Sequence, residues 1–322
     1  MTADRRGVPL YDDLPMDVGG RHSWDVPCCQ TLGTIGFIGT DIRRAAASSI
    51  LSGDLVSLNA PLNVVTPPFF GRSPLRREYV IKWDGLMLED WVDSLYLQVS
   101  SQWDALNHVG AAPDLFYGRT TLQQQVSGEV NGVDVWARHG IAGRGVLVDV
   151  VPAVLEREPD WPPGSPTIVR LNDVGAALAA TGTSLRFGDI LLIHTGFLDW
   201  YRGLGEKART AMREAGPQLE AVGLEHTEDV ARFLWDTGIA AVASDSVGVE
   251  AWPPIRDVDA RPFGFLHLAL IGHLGMAIGE LWELAPLVEK CRRRGRWDFF
   301  LTSAPLNLPG GVGTPANALA VL

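Results

Sequence analysis

The sequence predicts an α/β protein, and three observations carry that expectation. Two short apolar, β-branched runs, Val146 to Val151 and Ile190 to His194, are bounded by glycine and read as buried strands. Helix-length segments at Leu171 to Thr181 and Glu228 to Thr237 alternate with such runs. A further apolar run, Ala240 to Ala243, leads directly to Asp245, and polar groups at strand ends are where α/β proteins place their sites.

Taken in chain order, Thr40 is expected to cap an Ala-rich helix through about Ser52, with Gly53 as its stop. Residues 95 to 102 read as a strand entering a loop. Alternation then puts Tyr96, Gln98, Ser100 and Gln102 on one face and Leu95, Leu97 and Val99 on the other, so that the polar face would line a cavity. The helix over 171–181 should begin near Asn172 or Asp173, and the helix from Glu228 should end at Gly238. The apolar stretch Pro262 to Met276 is interrupted by His267 and His273 and falls short of the roughly 18 uncharged residues of a membrane span. It reads as buried structure carrying functional polar groups, and no membrane partner is expected.

The chain has 322 residues, 46% hydrophobic and 20% charged, with no evident linker or repeat. A single domain over residues 1–322 is expected, with an N-terminal extension of about 30 residues. The net charge of −11 argues against a nucleic-acid partner, because phosphate binding needs clustered positive charge. One basic cluster exists, Lys290, Arg292, Arg293, Arg294 and Arg296. It reads as the cationic end of a helix or a salt-bridged surface. Cys28, Cys29 and Cys291 form no disulfide framework, and Met1 to Arg6 lack the apolar run of a secretory signal, so a cytoplasmic location is expected. Of the 11 tryptophans, Trp83, Trp91, Trp103, Trp200 and Trp252 could wall an apolar pocket, although core packing accounts for most of them. Serine-hydrolase elbows, phosphate-binding glycine loops and H-E-x-x-H pairs are all absent.

The segment Gln98 to His108 is the most informative. Its second half, Gln102-Trp103-Asp104-Ala105-Leu106-Asn107-His108, resembles the Q-W-D-A-L-x-H form of the signature H-x-G-T-H-x-D-x-x-x-H of the cyclase family, which includes bacterial kynurenine formamidase and isatin hydrolase. Its first half departs: Gln98 stands for the first family His, Ser100 for Gly, Ser101 for Thr and Gln102 for the second His. The resemblance continues through Leu32-Gly33-Thr34 with Thr40-Asp41, Gly143 to Asp149, Gly188 to Gly196, Ala243 to Glu250, His267 to Glu280, and Ala304 through Asn317. In the second of the two strand motifs His194 replaces a family Arg.

The resemblance implies the swivelling β/β/α fold of that family, an enzyme, and a homodimer or homotetramer. It also implies His108 as general acid or base, a role suited to a group titrating near neutral pH. Asp104 would orient His108, contact substrate or bind metal. Gln98, Ser101, Gln102, Trp103 and His194 are the expected substrate-binding residues. Neutral amides at two former imidazole positions favour an enzyme working without a metal cofactor. The alternative is a single Zn or Mn ion held by Asp104, His267 and Glu280, whose counterparts in two-metal members supply the second metal. The expected reaction is cyclisation, dehydration, isomerisation, or lactone or amide hydrolysis of a small apolar or cyclic metabolite in specialised metabolism. A metal-dependent amide or lactam hydrolase and a non-catalytic small-molecule binder are the alternatives.

Overall fold

The computed structural model describes Arg5 and residues 7–322. The expectation of no signal rests on Met1 to Arg6, which, apart from Arg5, lie outside the described residues. The strands used below are β1 (Leu55–Ser57), β2 (Arg76–Lys82), β3 (Met87–Ser94), β4 (Gln102–Asp104), β5 (Ile141–Asp149), β6 (Ile190–His194), β7 (Ala241–Ser244), β8 (Ala277–Glu280), β9 (Asp298–Ser303), β10 (Gly313–Pro315) and β11 (Ala318–Val321).

Nine of these form one sheet in the order β10-β4-β8-β7-β6-β5-β9-β11-β1. The centre, β8-β7-β6-β5, is parallel. Both flanks are antiparallel. Parallel strands are covered on both faces and therefore read as unbroken apolar runs. Val146 to Val148, Ile190 to Ile193 and Ala241 to Ala243 are accordingly all buried. The α/β class and the paired strands at 190–194 and 241–244 agree with the sequence reading.

Helices also follow it closely. The helix Leu171–Thr181 starts one residue early because the Asp173 carboxylate accepts the Arg170 N–H at 2.9 Å, closing the first turn. The helix Glu228–Thr237 ends at Gly238, whose φ of 77° suits glycine, and it buries Val230, Ala231, Leu234 and Trp235 on one stripe.

Four local expectations are corrected. The first helix spans Thr40–Ala47 with Gly39 at its N-cap, so Thr40 lies inside it and makes no capping bond. Val151 opens the helix Val151–Arg157, because Pro152 can occupy a first turn but cannot donate to a strand ladder. Residues 95 and 96 are irregular, 97 to 101 are turn and bend, and only 102 to 104 form a strand. Burial there does not alternate: Gln98, Val99, Ser100, Ser101 and Gln102 are all buried while Tyr96 is exposed. A segment whose polar groups bond to loops around it has no reason to keep a period of two.

The stretch from Pro262 folds into the core as a π-helical segment, Leu268–His273, directly after His267. No helix among the described residues is long and apolar enough to cross a membrane. The basic cluster is salt-bridged at the end of the helix Ala285–Arg294. Arg292 reaches Asp149 at 2.8 Å, Arg296 reaches Asp298 at 2.8 Å, Lys290 and Arg294 pair with Asp54, and Arg293 pairs with Glu289. All three cysteines are unpaired; Cys29 is buried and Cys28 exposed.

One element stands apart from the sheet. Strands β2 and β3 pair only with each other, and their hairpin exposes Tyr79, Ile81, Trp83, Leu86, Leu88 and Trp91.

Candidate active site

The carboxyl ends of the parallel strands gather the acidic and imidazole groups. Glu280 ends β8, and antiparallel pairing with β4 sets Gln102 opposite it and Asp104 two residues further along the same face. The interior of β8 is narrow. A side chain on Gly279 would place its Cβ 2.6 Å from Ala243 Cβ and 2.7 Å from the Trp282 indole nitrogen, so glycine is needed for the strands to approach. Leu281, next to Glu280, has φ 55°, a conformation that costs a non-glycine residue on the order of 1–2 kcal/mol and turns the chain away at the site.

His267 is the hub. Its Nδ1 donates to Glu250, 2.8 Å from Oε1 and 3.0 Å from Oε2. Its Nε2 lies 3.1 Å from Glu280 Oε1 and 3.8 Å from Asp104 Oδ2. Gln102 Nε2 donates to Glu280 Oε2 at 2.8 Å and to Asp104 Oδ1 at 3.3 Å. His108 Nε2 stands 3.8 Å from Asp104 Oδ1, with 26% of its side chain exposed, which makes it the accessible member of the group. Two buried oxygens here have no hydrogen-bond partner, Asp104 Oδ2 and Gln102 Oε1.

The electrostatics follow from burial and neighbours. Burial works against the charged form of Asp104, but His108, His267 and Arg72 outweigh it and hold the carboxyl below its ordinary value. Burial likewise opposes charge on His267, yet Glu250, Asp104 and Glu280 together raise its pKa well above the usual imidazole range. Glu280 is pushed up to about 7 by burial and by Asp104 and Glu250, against the pull of His267. Burial lowers His108, with His267 and Arg72 adding to that and Asp104 opposing it. A neutral His108 can accept a proton, and a raised Glu280 can share one.

Beside this cluster runs a narrow cleft lined by Phe70, Arg72, Gln98, Val247 and Glu280. The expected site residues fall into two groups. His108, Asp104, Gln102, His267 and Glu280 come together, and Gln98 lines the cleft next to them. Three others make different contacts. Trp103 is fully buried, donates its indole N–H to Ser303 Oγ at 2.9 Å and packs edge-on against Trp282, so it is a core residue. Ser101 Oγ donates its one proton to Leu281 O at 2.6 Å and accepts the Ala60 N–H at 2.8 Å, so the buried hydroxyl ties loops together. His194 belongs to a separate cluster, 2.8 Å from Asp149 and 3.9 Å from Asp245, because it ends β6, and β7 lies between β6 and the β8–β4 pair in the sheet.

Sequence reasoning left Glu250 unassigned, although its motif Ala243 to Glu250 had been noticed. It also missed Arg72 and Phe70, which stand in a loop with no periodic signal. Of the five tryptophans that could wall a pocket, Trp252 packs between Phe70 and Phe265, tilted against the first and edge-on to the second, at 5.2 and 5.8 Å between ring centres. Trp83 and Trp91 lie on the exposed hairpin.

An α/β fold with an acid–imidazole–acid cluster at the carboxyl ends of its parallel strands defines an enzyme of hydrolase or cyclase type. A family model described as putative cyclase matches residues 56–251, well over half of the chain, and the protein belongs to that cyclase family. A crystal structure described as a novel cyclase is similar to it, with 28% identity, a TM-score of 0.77, and coverage of 90% of this chain and 96% of that one. Isatin hydrolase A from Labrenzia aggregata, bound to benzyl benzoate, shares the fold at 18% identity and a TM-score of 0.57, covering 83% of this chain and 93% of its own. The isatin hydrolase A from Ralstonia solanacearum does so at 17% identity and 0.56, covering 83% and 91%. No curated protein matches the chain. The fold is therefore that of the cyclase family, as the resemblance implied.

Proposed function

We propose that the protein transforms a small substrate by acid–base chemistry at His108 and Asp104, beside a divalent cation held by Asp104, His267 and Glu280. One observation carries this reading: ligand atoms of those three buried residues lie within 4.8 Å of one another. The donor set fits an ion in two further respects. Glu250 engages Nδ1 of His267 and leaves Nε2 turned toward the two carboxylates, the orientation that ligating histidines adopt. Asp104 Oδ2 and Gln102 Oε1 are buried oxygens in want of a partner. A mixed oxygen and nitrogen set suits manganese or zinc. A bound ion would act as a Lewis acid on water or a carbonyl group.

The chain's own residues do the rest. His108, neutral and partly exposed, accepts a proton from the attacking water or from the substrate and returns it to the leaving group. Asp104, 3.8 Å away, favours the imidazolium as it forms by its negative charge. A narrow crevice beside Glu280 places Gln98 and Arg72 next to the apolar side chains of Phe70 and Val247. Ring opening by hydrolysis and ring closure by dehydration both need these proton movements, and both belong to the proposal. The isatin hydrolase relatives support the hydrolytic direction by fold alone.

The metal-free reading has its own support. The Gln102 amide donates to both Glu280 and Asp104, taking a position between two carboxylates that a cation would otherwise draw. Titration of chelator-treated protein with manganese and zinc, followed by calorimetry, separates the two. Saturable binding of one ion that is lost in Asp104→Asn supports the first. No binding by parent protein supports the second.

We propose also that the protein assembles with a second copy of itself through the β2–β3 hairpin. An isolated two-stranded hairpin is marginally stable in water, and this one shows apolar side chains on both faces. Tyr79, Trp83 and Trp91 are exposed beside Ile81, Leu86 and Leu88, and aromatic side chains of this kind are enriched where proteins meet.

A further inference from the structure

Cys28 and Cys29 are neighbours in the chain, and their Sγ atoms stand 3.9 Å apart. The two thiols differ in surroundings: Cys28 is exposed, whereas Cys29 is fully buried. A hydrogen bond from the Cys29 S–H lowers Cys28 to about 7, against the effect of burial. The same contact, together with burial, raises Cys29 far above the ordinary thiol value, so Cys29 keeps its proton and directs it at the Cys28 sulfur. Cys28 is therefore part thiolate at neutral pH and open to solvent, the two conditions a reactive cysteine needs. Cys291 is the contrast: it is buried and pushed up to about 12, chiefly by that burial.

Two adjacent thiols could close on each other, but the backbone here opposes it. Consecutive Cα atoms across a trans peptide are about 3.8 Å apart, short of the roughly 4.4–6.8 Å that an unstrained disulfide spans. Closure would also have to turn a chain that is held on both sides. The Cys28 carbonyl oxygen lies 1.8 Å from where a Cβ on Gly36 would stand, so Gly36 is packed directly against it. The Cys29 N–H donates to Val26 O at 2.8 Å, and Cys29 O accepts the Gly33 N–H and the Tyr117 hydroxyl, both at 2.9 Å. Bringing the two sulfurs to bonding distance would break these contacts.

We infer that Cys28 is a modification site: it takes a thiol from a low-molecular-weight disulfide and holds it as a mixed disulfide, with Cys29 as its hydrogen-bond donor. The Cys28 sulfur attacks one sulfur of the reagent, R–S–S–R. A new S–S bond forms, the reagent's own S–S bond breaks, and the departing sulfur leaves as R–SH with the proton that Cys28 gives up. Cys28 is oxidised and the departing sulfur is reduced, so no further oxidant is needed. A neighbouring thiolate would ordinarily displace the second R–SH and close a disulfide. The pinned backbone and the retained proton of Cys29 stop the sequence one step earlier.

The test treats the reduced protein with excess oxidised glutathione and reads intact mass and peptide maps. One glutathionyl group per chain is expected, on Cys28 and removable by dithiothreitol. Cys28→Ser should abolish it, and Cys291 should stay free. The rate should reach half its plateau near pH 7, where Cys28 titrates. Cys29→Ala removes the donor, so that midpoint should move toward about 8.5, the value of a free thiol. At neutral pH the change costs about 15-fold in thiolate and returns about 5-fold in nucleophilicity, a net slowing of about 3-fold. Cys29→Ser keeps a hydroxyl donor in the buried position, guards against a folding defect in the alanine variant, and should titrate below it. No adduct on Cys28, or one formed equally on Cys291, overturns the site. Loss of two hydrogens in place of the adduct overturns the arrest at the mixed disulfide. A midpoint unchanged from the parent in Cys29→Ala removes Cys29 from the assignment.

Discussion

Glu250 grips Nδ1 of His267 with both carboxylate oxygens, at 2.8 and 3.0 Å, and so decides which imidazole nitrogen faces the site. Burial opposes the charge on Glu250, and His267 still holds its pKa below the ordinary value. Glu250→Gln keeps the shape but removes the charge. Outer partners of this kind are worth about 10–100-fold in metal affinity or activity, so manganese titration of this variant should show a loss of that size. Unchanged affinity would reduce Glu250 to a packing role.

His108→Ala should lower turnover about 10²–10⁴-fold with the fold intact, the usual scale of general acid–base assistance. Because burial depresses His108 below 6.5, the rising limb of the rate profile should lie on the acid side of that value. Asp104→Asn should be comparably severe. A pH profile with full activity in His108→Ala removes the residue from the mechanism.

In metal-free protein the contribution of Glu280 to stability should fall as pH rises from about 4.5 through about 7. Glu280 has a folded pKa raised to about 7 from 4.5, so its contribution is complete below 4.5 and fades as the pH passes through 7. His267 acts in the same sense, since its folded value is raised well above 6.5. Asp104 and Glu250, whose values are lowered, change only in more acidic solution. Thermal midpoints measured against pH should flatten over this window in Glu280→Gln. An unaltered slope would show that Glu280 titrates normally.

Gln102→Ala takes away the donor to Glu280 Oε2 and leaves a buried carboxylate oxygen unsatisfied. A destabilisation of about 1–3 kcal/mol is expected, measured by urea unfolding in chelator. Addition of manganese should recover part of it if a cation can take over the same oxygens. A variant as stable as the parent would mean that water replaces the amide without loss.

Trp83→Asp combined with Leu86→Asp changes only the tip of the β2–β3 hairpin, where these side chains are 73% and 88% exposed. Light scattering should find the parent as an oligomer and the variant as a smaller species. A monomeric parent, or an unchanged mass in the variant, counts against assembly through this hairpin.

The sequence by itself determined the class, the buried strands and the motif residues. Apolar runs such as 190–193 and helix signals such as Gly238 are local, and the order of the motifs carried family membership. Periodicity failed at 95–101 because the burial of Gln98 and Ser101 comes from loops distant in the chain. The site is legible as far as single positions go, in the motif residues Asp104, His108, His267 and Glu280. Only the tertiary structure decided that strand register brings Gln102 against Glu280, that Glu250 orients His267, and that Trp103, Ser101 and His194 lie elsewhere. Arg72 left no local trace, because it stands in a loop with no periodic signal and meets Gln98 only in space. Distances across a sheet depend on pairing between segments nearly two hundred residues apart, and no window of the sequence contains them.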